Sequence, residues 1–170
     1  MLTLLLMRHA KSSWDDPGTS DHDRPLNARG ERAAPRMGRL LREQGLVPEL
    51  IISSTAQRAG DTAHAVAAAM SYTGPIELTR RLYLAEPEGY LEVLAERLPE
   101  GSPGAPSRDR RVLLIGHNPG LAQLVAQLTG VDVEMSTAAI AQVEADVVSG
   151  FALTPGSGSL RAVHRPKELD

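Results

Sequence analysis

The sequence predicts an α/β fold, a three-layer α/β/α sandwich around a central, mainly parallel sheet. Two observations carry this. Three apolar runs of strand length, Thr3–Met7, Leu50–Ile52 and Val112–Ile115, are continuous rather than alternating, the pattern of strands buried on both faces. Each is followed by a polar, turn-rich stretch and then by a helical pattern. At 170 residues the chain suits one domain covering residues 1–170, large enough to bury a core without staples.

The elements follow in order. After the first strand, Asn27 is an N-cap for a helix over Ala28–Gln44, with Ala33, Met37, Leu40 and Leu41 as its apolar face and Gly45 as its stop. Pro35 inside this pattern predicts a kink or a late start. The second strand leads into an alanine-rich helix over Ala56–Met70, and a shorter helix is expected over Gly89–Leu98. Pro99–Pro106 reads as a surface loop, continued by the solvated run Arg108–Arg111. The third strand precedes a helix over Pro119–Leu128, with Pro119 in its first turn and Gly130 after it. Two later edge strands are expected at Ala141–Val148 and Leu160–Val163, joined through a turn at Gly156–Ser159.

Composition excludes several function classes. The chain has no cysteine, which removes disulfides, thiolate metal sites and a cysteine nucleophile. Only one Phe, one Trp and three Tyr are present, so the core must be aliphatic. A net charge of −3 argues against nucleic-acid binding through a broadly basic surface, while leaving room for a local basic pocket. The apolar start, Met1–Met7, is too short for a signal-peptide core, and no run approaches the roughly 18 apolar residues of a membrane span. The expectation is a cytoplasmic protein with no membrane partner.

Chemistry collects where the three buried strands end. The first ends in Arg8-His9, the second in Ser53-Ser54-Thr55 with Arg58 a turn later, and the third in Gly116-His117-Asn118. Ligands of open α/β sheets bind beyond the carboxyl ends of the strands. Two arginines and two histidines therefore reach one rim, joined by two helix N-termini that favour anions. An acidic chain that gathers cations this way is building an anion site, and phosphate matches arginine forks. No P-loop, dinucleotide fingerprint, GxSxG elbow or HExxH motif is present. A histidine can itself be the nucleophile in phosphoryl transfer, and with this much positive charge neither a metal nor another cofactor is called for.

These segments resemble a known family. Leu6-Met7-Arg8-His9-Ala10 resembles the RHG signature of the histidine phosphatase (phosphoglycerate mutase-like) superfamily, with Ala10 where Gly is usual. Leu26–Gly30 is similar to its helix-start segment, Ser53–Ala63 to its second-arginine segment, and Gly116–Gly120 to its second-histidine segment. The short length, Arg24-Pro25-Leu26 and Gly116–Leu121 are most similar to the SixA-type phosphohistidine phosphatase subgroup.

The resemblance implies a metal-independent phosphatase in which His9 is phosphorylated and Arg8, Arg58 and His117 bind the phosphoryl group. Arg24 is implied as a further substrate-binding arginine and Glu86 as the counterpart of the acidic proton donor of larger members. Asp15 stands where mutase-type members carry asparagine, and is expected to orient Arg24 or to meet the leaving group. The implied partner is a phosphorylated substrate, a protein-borne phosphohistidine above all, because a labile P–N bond needs little acid. A small-molecule phosphomonoesterase using Glu86, and a phospho-ligand binding module without turnover, are the alternatives. A metal at Asp21-His22-Asp23 is not expected, since consecutive side chains diverge. His64 and His164 read as structural and Lys11 as exposed.

Overall fold

Continuous apolar runs become central strands because each face of the sheet needs its own apolar side chains. The computed structural model describes residues 1–100 and 108–169. Its strands are β1 (Leu2–Arg8), β2 (Leu50–Ser54), β3 (Ile76–Thr79), β4 (Arg110–Gly116), β5 (Ile140–Ala145) and β6 (Gly158–His164). Its helices are α1 (Ala28–Glu43), α2 (Gln57–Met70), α3 (Pro87–Arg97) and α4 (Gly120–Thr129). The strands form one sheet in the order β3-β2-β4-β1-β5-β6. β3, β2, β4 and β1 run parallel, while β5 and β6 are antiparallel additions.

Alternate residues of β1 and β4 serve opposite layers. Leu4, Leu6, Val112 and Leu114 pack with Val93, Leu94, Leu121 and Leu124 of α3 and α4. Leu5, Met7, Leu113 and Ile115 pack with Met37, Leu41, Val66 and Met70 of α1 and α2. The predicted three-layer sandwich is therefore the observed one.

The expected element bounds need small corrections. Asn27 caps α1 as predicted, its side chain accepting the Gly30 N–H at 2.9 Å. The helix starts on time at Ala28 and carries Pro35 within it. Gly45 adopts a φ of +69° just beyond the helix and stops it. The buried stripe of α1 is Ala34, Met37, Gly38 and Leu41, so it is turned slightly from the predicted face, with Ala33 and Leu40 half-buried beside it. Small residues sit at the centre because α2 comes close. A Cβ on Gly38 would stand 2.6 Å from the Val66 carbonyl oxygen.

Pro119 is the residue before α4 rather than in its first turn, and the Asn118–Pro119 peptide is cis. β5 is internal, between β1 and β6, so of these two strands β6 alone is at an edge. Gly158 and Ser159 already belong to β6. The other edge, β3, follows Pro75 and was not expected. From residue 101 onward, the expected Pro99–Pro106 loop lies outside the described residues.

The α1–α2 contact yields a stability prediction. Gly38→Ala gains about 1 kcal/mol of helix propensity and loses about 1–3 kcal/mol to overpacking. The urea midpoint is expected to fall, and an unchanged or raised midpoint would show that the two helices can part freely.

Candidate active site

The parallel order β2-β4-β1 sets three strand ends side by side. Arg8 pairs in register with Gly116, and Ser53 with Ile115, so His9 and His117 emerge at the same level. The His9 N–H donates to the Gly116 carbonyl at 3.1 Å. The two imidazoles lie 5.2 Å apart, centroid to centroid. They line a cavity of about 190 Å³ together with Arg8, Arg24, Arg58 and Asn118. Lys11, Trp14 and Leu84 also contribute to its wall.

Each side chain is held by its local fold. Ala10 is fully buried, and its N–H donates to Thr62 Oγ1 at 3.0 Å. The Thr62 hydroxyl in turn donates to the Arg58 carbonyl at 2.7 Å, locking the first turn of α2 against the segment after β1. Gly116 has a different task. A Cβ there would stand 2.1 Å from the Tyr90 hydroxyl, and that hydroxyl accepts the His117 N–H at 3.0 Å.

His9 is buried, and its Nδ1 lies 2.7 Å from the Ala10 carbonyl. A carbonyl only accepts, so Nδ1 carries the proton and Nε2 holds the lone pair. Arg58 Nε approaches that lone pair at 3.4 Å. His117 has the complementary arrangement. Arg58 Nη2 lies 3.4 Å from its Nδ1, and its Nε2–H donates to Ser54 Oγ at 2.8 Å. Burial first, then neighbouring positive charge, pushes the His9 pKa down to about 4. Burial, with His9 and Arg58 adding to it, pushes His117 down to about 3. Both rings are neutral at pH 7.

Asp21 holds the arginines together. Its Oδ1 accepts from Arg24 Nε and Nη2 at 3.2 and 3.0 Å. Its Oδ2 accepts from Arg58 Nη2 at 3.1 Å and from the Tyr83 hydroxyl at 2.5 Å. Its backbone carbonyl accepts from Arg58 Nη1 at 2.6 Å. The Tyr83 hydrogen bond, supported by the two arginines, lowers the Asp21 pKa to about 2. Arg24 also donates to Ser12 Oγ at 2.6 Å and stacks 3.5 Å over the Trp14 ring. Arg8 Nη1 reaches the Met135 carbonyl at 3.2 Å, while its buried Nε has no partner among the described residues. Asn118 Nδ2 donates to the same carbonyl at 2.8 Å, and its buried Oδ1 is unpaired among the described residues.

Five of the residues singled out in the sequence, Arg8, His9, Arg24, Arg58 and His117, thus converge. Glu86 does not join them. It is the exposed residue preceding α3 and does not line the cavity. Asp15 is exposed as well, and the carboxylate that orients Arg24 is Asp21. Asp21, Tyr83, Ser54, Trp14 and Asn118 complete the surroundings. Ser54 and Asn118 stand in the strand-end segments singled out above, Asp21 is a carboxylate three residues before Arg24, and Tyr83 and Trp14 carried no such signal. His22 contacts Thr55 Oγ1 at 2.9 Å and the edge of Tyr83. Among the described residues no group of three His, Cys, Asp or Glu side chains is placed to hold a metal ion.

Chemically, three guanidinium groups around an unprotonated ring nitrogen suit a phosphoryl group better than a carbonyl substrate. Comparison with known proteins agrees. The family model of the histidine phosphatase superfamily, branch 1, matches residues 4–86, the stretch holding Arg8, His9, Arg24 and Arg58. A chloroplastic protein of Arabidopsis thaliana is 32% identical over 171 residues, covering 96% of this chain and 77% of that relative. The solved protein histidine phosphatase SixA in complex with tungstate superposes with a TM-score of 0.81 at 25% identity, over 99% of both chains. A SixA protein from Agrobacterium tumefaciens gives a TM-score of 0.78 at 27% identity, over 96% of this chain and 97% of that one. The chain belongs to the histidine phosphatase superfamily, within its SixA type, and it is a phosphatase.

The neutral histidines have a measurable consequence. Long-range ¹⁵N NMR is expected to find His9 protonated at Nδ1 and neither His9 nor His117 titrating between pH 5 and 8. Orthophosphate should raise both pKa values, because an anion favours the imidazolium. Stability follows in sign. Unfolded histidine titrates near 6.5, so between that pH and about 4 the unfolded chain binds more protons. Stability should therefore fall as pH drops through that window, and a flat profile would contradict neutral buried rings.

Proposed function

We propose that the protein hydrolyses phosphohistidine carried by another protein, through a phosphohistidine formed on its own His9. The observation that carries this reading is the His9 tautomer. With Nδ1–H donated to the Ala10 carbonyl, the Nε2 lone pair points toward Arg58 among the cations of the cavity.

The first step follows from that arrangement. His9 Nε2 attacks phosphorus in line, the Nε2–P bond forms, and the bond from phosphorus to the leaving imidazole breaks. That imidazole takes a proton from solvent. Arg58 turns its Nε from the His9 lone pair to a phosphoryl oxygen as the substrate enters. Arg8, through its free Nε, holds a second oxygen, and His117 holds the third once it takes up a proton from solvent at Nδ1 as the anion binds, with Arg24 at the cavity wall. In the second step a water oxygen attacks phosphorus, the Nε2–P bond breaks, inorganic phosphate leaves, and His9 recovers its lone pair.

Two features favour a phosphorus–nitrogen bond over an alkyl ester. Glu86 lies outside the cavity lining, and an imidazole leaves with little acid assistance where an alkoxide does not. Trp14 and Leu84 line the cavity yet are 72% and 56% exposed, offering apolar surface to a macromolecular substrate.

The test is phosphate release, in EDTA, from a phosphohistidine-bearing carrier protein and from an aryl phosphate. Wild type is expected to turn over the carrier, His9→Ala to lose turnover, and Arg58→Ala to slow it about 10²–10³-fold. Wild-type rates in His9→Ala would overturn the mechanism. Tight phosphate binding without turnover of either substrate would instead favour the binding-module alternative, and turnover of the aryl phosphate alone the small-molecule one.

A further inference from the structure

Beside the catalytic cavity lies a second hollow of about 80 Å³, lined chiefly by Lys11, Arg29, Ser136, Thr137 and Lys167. It shares Lys11 and Thr137 with the catalytic cavity, so the two adjoin. Its lining brings together three cations and two hydroxyls and contains no carboxylate. Among the described residues none of the three cations has a carboxylate partner. The nearest acid in sequence, Glu168, is held by Arg165 at 3.3 Å.

The hollow is anchored to the nucleophile by backbone contacts. The Asn27 N–H donates to the Lys11 carbonyl at 3.0 Å, and a Cβ on Gly30 would stand 2.1 Å from that same oxygen. The first turn of α1, carrying Arg29, is therefore seated directly on the backbone of Lys11. The Ala138 N–H donates to the carbonyls of both Arg8 and His9, at 3.1 and 3.0 Å, which places Thr137 next to the reacting histidine. Arg165 donates twice to the Glu134 carbonyl, at 3.2 and 2.9 Å, and Leu169 packs against the α1–α2 core. These contacts fix the segment bearing Lys167 on the far side of the hollow.

Three exposed cations and two hydroxyls line this small hollow, in a chain of net charge −3, a donor set that a single anionic group can bridge. We infer that this hollow is a subsite for a second anionic group, phosphate or carboxylate, on the same substrate whose phosphoryl group reacts at His9. The inference rests on the phosphoryl-transfer reading above. On a protein substrate the second group is an acidic side chain near the phosphohistidine. On a small molecule it is a second phosphate.

The variants are Arg29→Gln, Lys167→Gln and the pair, since both residues lie outside the catalytic cavity. One arm compares phosphohistidine peptides with acidic and with neutral flanks. The other compares calorimetric binding of orthophosphate, diphosphate and triphosphate to the same proteins. Wild type is expected to favour at least one set of second-anion probes by about tenfold at low salt, less at high salt. The double variant should lose that preference while aryl phosphate turnover and orthophosphate affinity stay unchanged. A preference among peptides assigns the second anion to a protein, and one confined to the polyphosphates assigns it to a small molecule. The inference fails if no second-anion probe is favoured, or if the preference survives in the double variant. Hydrolysis of both peptides at equal rates, together with no gain in affinity from orthophosphate to diphosphate or triphosphate, would overturn the subsite alone and leave the His9 mechanism standing.

Discussion

The pairing of Arg58 with Asp21 is the contact on which the rest of the site depends. Arg58 is 3% exposed and cannot give up its proton, so its charge needs a partner on the spot. Asp21 meets it with both carbonyl and carboxylate, and the same carboxylate gathers Arg24 and Tyr83. The Asp21 side chain is itself 43% exposed, so solvent screens the pair and its value is more geometric than energetic. It aims one guanidinium at both histidines and keeps a second at the cavity wall.

That concentration of positive charge helps determine the state of His9, the proposed nucleophile. An exposed histidine would be partly protonated near neutral pH and unable to attack phosphorus. Here burial and the surrounding guanidinium groups keep both rings neutral, and the Ala10 carbonyl selects the tautomer. The features that suit the site to an anion thus also leave His9 with the free lone pair that the proposed attack requires. The same features make the empty site electrostatically unfavourable, which is why an arriving phosphoryl group is stabilised in the ground state as well as in transfer. Selectivity for transfer must come from alignment, and the Ala10–Thr62–Arg58 hydrogen bonds hold nucleophile and guanidinium in one frame.

Much of this was readable in the residue order. The runs through Leu4–Met7 and Val112–Ile115 stood out because both faces of those strands are covered, and Arg8, His9 and His117 follow directly from the strand ends. Arg58 was legible because one helical turn returns it to the rim. β3 was missed because Ile76–Thr79 is a four-residue edge strand with no fully buried residue. Asp21 was visible only as a neighbour of Arg24, since its other partners are 37 and 62 residues away. Glu86 was singled out only by resemblance to the acidic donor of larger members, and a resemblance in position does not say that the residue, which precedes α3, lies outside the cavity lining. The stripe of α1 shifted toward Ala34 and Gly38 because a close helix contact selects small residues over large apolar ones.

The central claim is a covalent bond between His9 Nε2 and phosphorus, and trapping it is the most direct measurement. The protein would be mixed with phosphoramidate, quenched in alkali to preserve the P–N bond, digested, and sequenced by mass spectrometry. A single phosphoryl group on His9, formed fast enough to account for turnover and absent after His9→Gln, is the predicted result. Turnover with no phosphorylated peptide, or with the label on His117 or another residue, would contradict the account.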